Sequence, residues 1–207
     1  MMRTSVVLAV IFLSLQSAWA QPITILALGD SLTAGYGLAE ADAFPAKLEA
    51  VLKARGHDVV VVNGGVSGDT AADGLARLDW SLAENVDAVI VELGANDALR
   101  GLPVAQAEAA LDKILAVLTL RKKPVLIAGM RAPPNMGPDY VAAFDGMYPK
   151  LAAKYGAALY PFFLDGVAAE AGLNQEDGLH PKAPGVDIIV SRMLPSVEEL
   201  IRKASGK

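Results

Sequence analysis

The sequence predicts a single-domain three-layer α/β/α sandwich built on a five-stranded parallel sheet. Three observations lead there. Short apolar runs rich in Val and Ile end in Gly or Asn-Gly. Amphipathic stretches with helical spacing separate them. At 207 residues the chain has the length of one domain with a sizeable core. Apolar runs of this kind read as strands buried on both faces, and strands alternating with helices imply a parallel sheet covered on both sides.

Taken in order, the chain begins with a secretory pattern. Arg3 supplies a minimal positive start, Val6 to Leu15 an apolar run, and Ala18-Trp19-Ala20 an A-x-A signal before Gln21. The apolar run is shorter than the ~20 residues a bilayer span requires. A signal peptide over 1–20 and a mature domain over 21–207 are therefore expected. The product would be exported, periplasmic or secreted, with no stable membrane anchor.

The first strand is expected over Ile23 to Leu28, closed by Gly29. Phe44, Leu48, Val51 and Leu52 then share one helical face. Val59 to Val62 forms a second strand, closed by Asn63-Gly64-Gly65. Leu75, Leu78 and Leu82 mark one helix. Ala88 to Leu93 is the third strand, closed by Gly94. Leu111, Leu115 and Leu118 mark the next helix, and Val125 to Ala128 the fourth strand. Val141, Phe144, Tyr148 and Leu151 continue the alternation, followed by a weaker strand over Ala157 to Phe163. A last helix runs from about Pro184 to Arg202, with a break or kink expected at Pro195.

Composition narrows the function classes. Hydrophobic residues make up 53% and charged residues 20%, which excludes a disordered chain. The net charge is −5, so the surface repels phosphate backbones and no nucleic-acid partner is expected. There is no cysteine, hence no disulfide, thiolate nucleophile or cysteine-ligated metal.

In parallel sheets the ligand site lies beyond the carboxyl ends of the strands, and the loops there carry the chemistry. The first strand runs into Gly29-Asp30-Ser31-Leu32, which puts a serine at a strand-to-helix turn; the same residues would also suit a helix cap. Near the C-terminus, Asp177-Gly178-Leu179-His180 lets the carboxylate fold back onto the imidazole and fix its tautomer. The chain has two histidines. His57 falls at the amino end of a strand, so a histidine base would be His180. The second strand leads to Ser67-Gly68-Asp69-Thr70 and the third to Gly94-Ala95-Asn96-Asp97. Gly admits a close backbone N–H and Asn a neutral amide, the donors an acyl-transfer oxyanion needs. Each loop alone is also ordinary turn chemistry.

Together the four blocks resemble the SGNH, or GDSL, hydrolase superfamily, whose Ser, Gly, Asn and His lie in four ordered blocks. Ser31, Gly68, Asn96 and His180 match them in order, with Asp177 in the Asp-x-x-His. Ser67 to Thr70, Gly74 to Leu78, Val91 to Gly94, Leu99 to Gly101, Tyr148 to Ala152 and Pro161 to Phe163 further resemble the bacterial periplasmic thioesterase, arylesterase and lysophospholipase group. Ala95 departs from a common second Gly, and Lys182-Ala183-Pro184-Gly185 also differs.

The resemblance implies a flavodoxin-like SGNH hydrolase fold. It implies Ser31 as nucleophile, His180 as base and Asp177 as its orienter. The oxyanion would be held by the Ser31 and Gly68 amides and the Asn96 side chain. No metal or cofactor is implied; Asp30, Asp69 and Asp97 read as turn or cap residues. A monomer acting on small-molecule acyl esters, thioesters or lysophospholipids is expected. Leu99, Leu102, Pro133, Pro134 and Met136 fall in loops after the third and fourth strands and are expected to form an acyl wall. Two alternatives share the fold: a carbohydrate O-deacetylase, which the 6% aromatic content does not favour, and a non-catalytic binding module.

Overall fold

The computed structural model describes residues 21–206. The expected signal peptide lies outside them. The sheet has five parallel strands in the order β2-β1-β3-β4-β5. They are β1 (Ile23–Gly29), β2 (Val59–Gly65), β3 (Ala88–Glu92), β4 (Val125–Ala128) and β5 (Ala158–Tyr160). The helices are α1 (Ser31–Ala34), α2 (Phe44–Ala54), α3 (Ala71–Ala76), α4 (Leu78–Ser81), α5 (Ala95–Leu99), α6 (Val104–Leu120), α7 (Pro138–Tyr155) and α8 (Ala183–Ala204). Helices α2 and α8 pack together on one face; α3, α6 and α7 pack on the other. The five-stranded α/β/α architecture is the one the alternating pattern predicts.

Strand order decides where a site forms. The chain steps from β1 outward to β2, then crosses back to β3, β4 and β5. The reversal leaves a crevice between the carboxyl ends of β1 and β3, where adjacent connections leave in opposite directions. Ser31 follows β1 and Asn96 follows β3, so the two stand on either side of it.

Several local expectations are corrected. Strand β2 is not buried on both faces: Val60 and Val62 are exposed, because β2 is an edge strand covered on one face only. Strand β5 spans three residues rather than the seven expected. Pro161, which lacks a ladder N–H, ends it. The helix expected through Leu75, Leu78 and Leu82 is two, divided at Arg77. The Arg77 guanidinium bonds Asp69, the Gly29 carbonyl and Ser81 Oγ, tying the divide to the end of β1. Pro195 does not break α8. Its missing N–H would have served Ser191, which lies on the exposed face where water can replace it.

Candidate active site

Ser31 opens α1 directly beyond β1. Asp30 caps that helix, its Oδ1 accepting from the Leu32 N–H at 2.9 Å. Capping and exposure of the serine are compatible: the turn that starts the helix also presents Ser31 Oγ to the crevice.

His180 arrives from the far end of the chain on a tight loop. Asp177 Oδ1 accepts from the N–H groups of Leu179 and His180, at 2.9 and 3.0 Å. Gly178 between them has φ +70, a left-handed conformation that glycine adopts without strain. The fold-back brings Asp177 Oδ2 within 2.6 Å of His180 Nδ1. With Nδ1–H donating to the carboxylate, Nε2 is left as acceptor, 2.9 Å from Ser31 Oγ. These bonds to the imidazole and the two amides hold the Asp177 carboxyl down at about 2.

Two residues that sequence reasoning missed steady this loop. Gln175 Nε2 donates to the Tyr36 carbonyl at 2.7 Å and lies 3.1 Å from that of Pro181, and the Gln175 N–H donates to the His180 carbonyl at 2.8 Å. The Tyr36 ring lies 4.6 Å from the imidazole, centroid to centroid. Neither residue carries a local sequence signal, since both act by contact with a distant loop.

On the opposite side lie Gly68 and Asn96. Gly68 has φ +88, so the loop needs glycine for its backbone; a Cβ would meet little but Arg100 Nη2 at 3.6 Å. Arg100 Nη2 donates to the Gly68 carbonyl at 2.7 Å. Among the described residues, no protein acceptor takes the Ser31 or Gly68 N–H. Asn96 Nδ2 donates to the Asp69 carbonyl at 3.0 Å and stands 3.2 Å from Asp30 Oδ2. Amides placed around a serine hydroxyl in this way are able to donate to a developing oxyanion.

Comparison with known proteins gives the family. Residues 27–188 match the GDSL-like lipase/acylhydrolase family. The chain belongs to that family. It is similar to Esterase TesA of Pseudomonas aeruginosa, 40% identical over 195 residues, covering 94% of this chain and 96% of the relative. It is also similar to Thioesterase 1/protease 1/lysophospholipase L1 of Escherichia coli K12, 38% identical over 183 residues, covering 88% and 86%. Among solved structures, the SGNH-hydrolase family esterase AlinE4 superposes with a TM-score of 0.74 at 49% identity, covering 87% of this chain and 97% of that one. The chain is thus an acyl-ester hydrolase of the GDSL type.

In this acylhydrolase a groove of about 450 Å³ opens from Ser31 across the ends of β3, β4 and β5. Leu99 and Pro134 line it as expected, as does Pro133. Leu102 and Met136 do not. Their two loops touch each other instead: Met136 Cε packs against Gly101, 3.2 Å from where a Cβ would stand, and the Leu102 carbonyl accepts from Tyr140 Oη at 2.9 Å. Met130, Phe162, Leu164 and Leu179 also line it. Phe162 falls inside the fifth strand that sequence reasoning drew too long, which hid its place on the wall.

Beneath Ser31 lie two buried carboxyls. Glu92, at the end of β3, accepts from Thr33 Oγ1 at 2.7 Å, while its Oε1 has no partner among the described residues. Burial drives its carboxyl far above the usual range, and the Asp30 charge adds to the rise. Burial likewise lifts Asp30 from 3.8 to about 6. The other acidic residues near the site are occupied. Asp69 pairs with Arg77 at 2.6 Å. Asp97 is not a turn residue but a buried acceptor for the Ala71 N–H at 2.8 Å.

Proposed function

We propose that this acylhydrolase is an exported serine esterase and thioesterase that works through an acyl-enzyme on Ser31. The observation that carries the reading is the unbroken line from Asp177 through His180 to Ser31, opening on an apolar groove. In the first step His180 Nε2 takes the Ser31 proton as Oγ bonds to the acyl carbonyl. The Ser31 and Gly68 amides and the Asn96 side chain hold the oxyanion. As the intermediate collapses, the C–O or C–S bond breaks and His180 returns the proton to the leaving alcohol or thiol. Water then repeats the sequence and frees the acid.

An acyl chain suits the groove better than a sugar ring. Its side chains are mostly apolar, and beyond His180 the described wall presents a single aromatic ring, Phe162. The names of the relatives, esterase and thioesterase or lysophospholipase, point the same way. Export rests on the pattern ending at Ala20, and among the described residues no helix is long and apolar enough to cross a membrane. The enzyme would act as a monomer without a membrane anchor.

A fluorophosphonate probe followed by peptide mapping tests the reading. Stoichiometric modification of Ser31, with parallel loss of p-nitrophenyl ester hydrolysis, is expected. Modification of another residue, or none, would overturn the assignment.

A further inference from the structure

The groove carries one feature that ester hydrolysis does not explain. Arg131, between Met130 and Ala132, lies on its wall. Every other described arginine has a partner. Arg55, Arg77, Arg121, Arg192 and Arg202 each pair with a carboxylate, and Arg100 bonds the Gly68 carbonyl. The Arg131 guanidinium has no hydrogen bond or ion pair among the described residues. It stands over the Phe162 ring instead, 4.9 Å from the centroid. Stacking holds the plane of the guanidinium while leaving its edge donors free.

An acidic protein with 23 carboxylate residues against 18 basic ones has acceptors to spare for its arginines. An arginine left unpaired on a mostly apolar wall is set up for an anion brought by the ligand. Five N–H donors in a planar fork match a carboxylate or phosphate. Location sets the distance. Ser31 follows β1 and Arg131 follows β4, with β3 between them. Two strand spacings are about 10 Å. The anion would therefore lie several bonds from the scissile carbonyl, too far for Arg131 to serve as an oxyanion donor.

We propose that Arg131 recognises an anionic group carried by the ester itself, which makes the preferred substrates amphiphilic esters with a carboxylate or phosphate remote from the reacting carbonyl. This rests on the hydrolase reading above. The anion has two possible sources, the far end of the acyl chain or the leaving group, and two matched pairs separate them. Mono-p-nitrophenyl suberate against p-nitrophenyl octanoate places the charge on the acyl side. Lysophosphatidic acid against the monoacylglycerol of the same chain places it on the leaving side.

The readout is the anionic-to-neutral ratio of kcat/KM. Arg131→Met should lower that ratio by about tenfold or more in one pair, as expected for loss of a charge-assisted hydrogen bond. Arg131→Lys should keep part of it, and raised salt should compress the wild-type ratio. The pair that responds identifies the source. Equal ratios in wild type and Arg131→Met for both pairs overturn the proposal. So does a wild-type ratio flat with ionic strength, a result that stands even where the variant fails to fold. The neutral members judge the hydrolase reading separately: if wild type turns over neither, that reading falls and this one with it.

Discussion

His180 Nε2 lies 2.9 Å from Ser31 Oγ, although 149 positions separate the two residues in sequence. The contact joins the first and last loops at the carboxyl edge of the sheet. Ser31→Ala and His180→Ala should each lower kcat by at least about 10³, and the double variant should be little worse than either, since the pair acts as a unit. Steady-state kinetics on a p-nitrophenyl ester checks this. A Ser31→Ala enzyme retaining a tenth of wild-type activity would remove Ser31 from the chemistry.

Asn96 and Asp97 are neighbours with different contacts, and substitution should separate their roles. Asn96→Ala should lower kcat by about 10²–10³ with little change in KM, because an oxyanion exists only in the transition state. Asp97→Ala leaves the Ala71 N–H without its buried acceptor, at a cost of about 1–3 kcal/mol and a fall in Tm of roughly 2–12 °C. Calorimetry and kinetics on both variants test the division. A stability loss in Asn96→Ala matching that in Asp97→Ala would contradict it.

Asp30 makes stability depend on pH in a defined window. Its folded value is about 6, raised from 3.8 by burial. A raised value means the contribution is fully present below pH 3.8 and is lost as the pH climbs through about 6. The rise is equivalent to at most ~3 kcal/mol of destabilisation at neutral pH. Asp30→Asn keeps an acceptor for the Leu32 N–H without the charge. The Tm of the variant relative to wild type should therefore increase between pH 4 and pH 7. A difference constant across that range would show that Asp30 does not titrate there.

Groove residues should set acyl-chain selectivity. Each methylene buried along Leu99, Met130 and Phe162 is worth about 0.8 kcal/mol, or roughly fourfold in kcat/KM until the groove is filled. Leu99→Ser should reduce the octanoyl-to-acetyl ratio of kcat/KM. Met136→Ser should leave that ratio nearly unchanged, because Met136 packs on Gly101 outside the groove. Equal shifts in the two variants would mean that the wall has been misdrawn.

Gln175 is expected to act through the histidine loop. Gln175→Ala removes the bonds to the Tyr36 and Pro181 carbonyls and loosens the seat of His180. A drop in kcat of about threefold to tenfold, at unchanged KM, fits the loss of these two side-chain hydrogen bonds. A change confined to KM would instead place Gln175 in substrate contact.

Local pattern was enough where a local force dominates. The uninterrupted apolar runs of β1, β3 and β4 mark strands that helices cover on both faces, and Asp177-Gly178 folds into its turn through bonds within four residues. The reading weakened at the sheet edges. Strand β2 has the apolar content of a central strand yet exposes Val60 and Val62, because exposure depends on which strand has a neighbour. Leu102 and Met136 failed as wall residues for a related reason. Apolar character said that they would be covered, but not whether by a ligand or by the facing loop.

The sequence by itself determined the strand and helix alternation, the serine at the first strand-helix turn and the carboxylate that folds back on its histidine. All of these follow from steric preference, periodicity and hydrogen bonds between near neighbours. Only the tertiary structure decided the rest. The order β2-β1-β3-β4-β5 brings Ser31 to His180, seats Glu92 and Asp30 beneath Ser31 and leaves Arg131 stacked on Phe162 without a carboxylate. Those contacts join residues from different loops, so their distances depend on how whole layers pack, a quantity that no short stretch of chain contains.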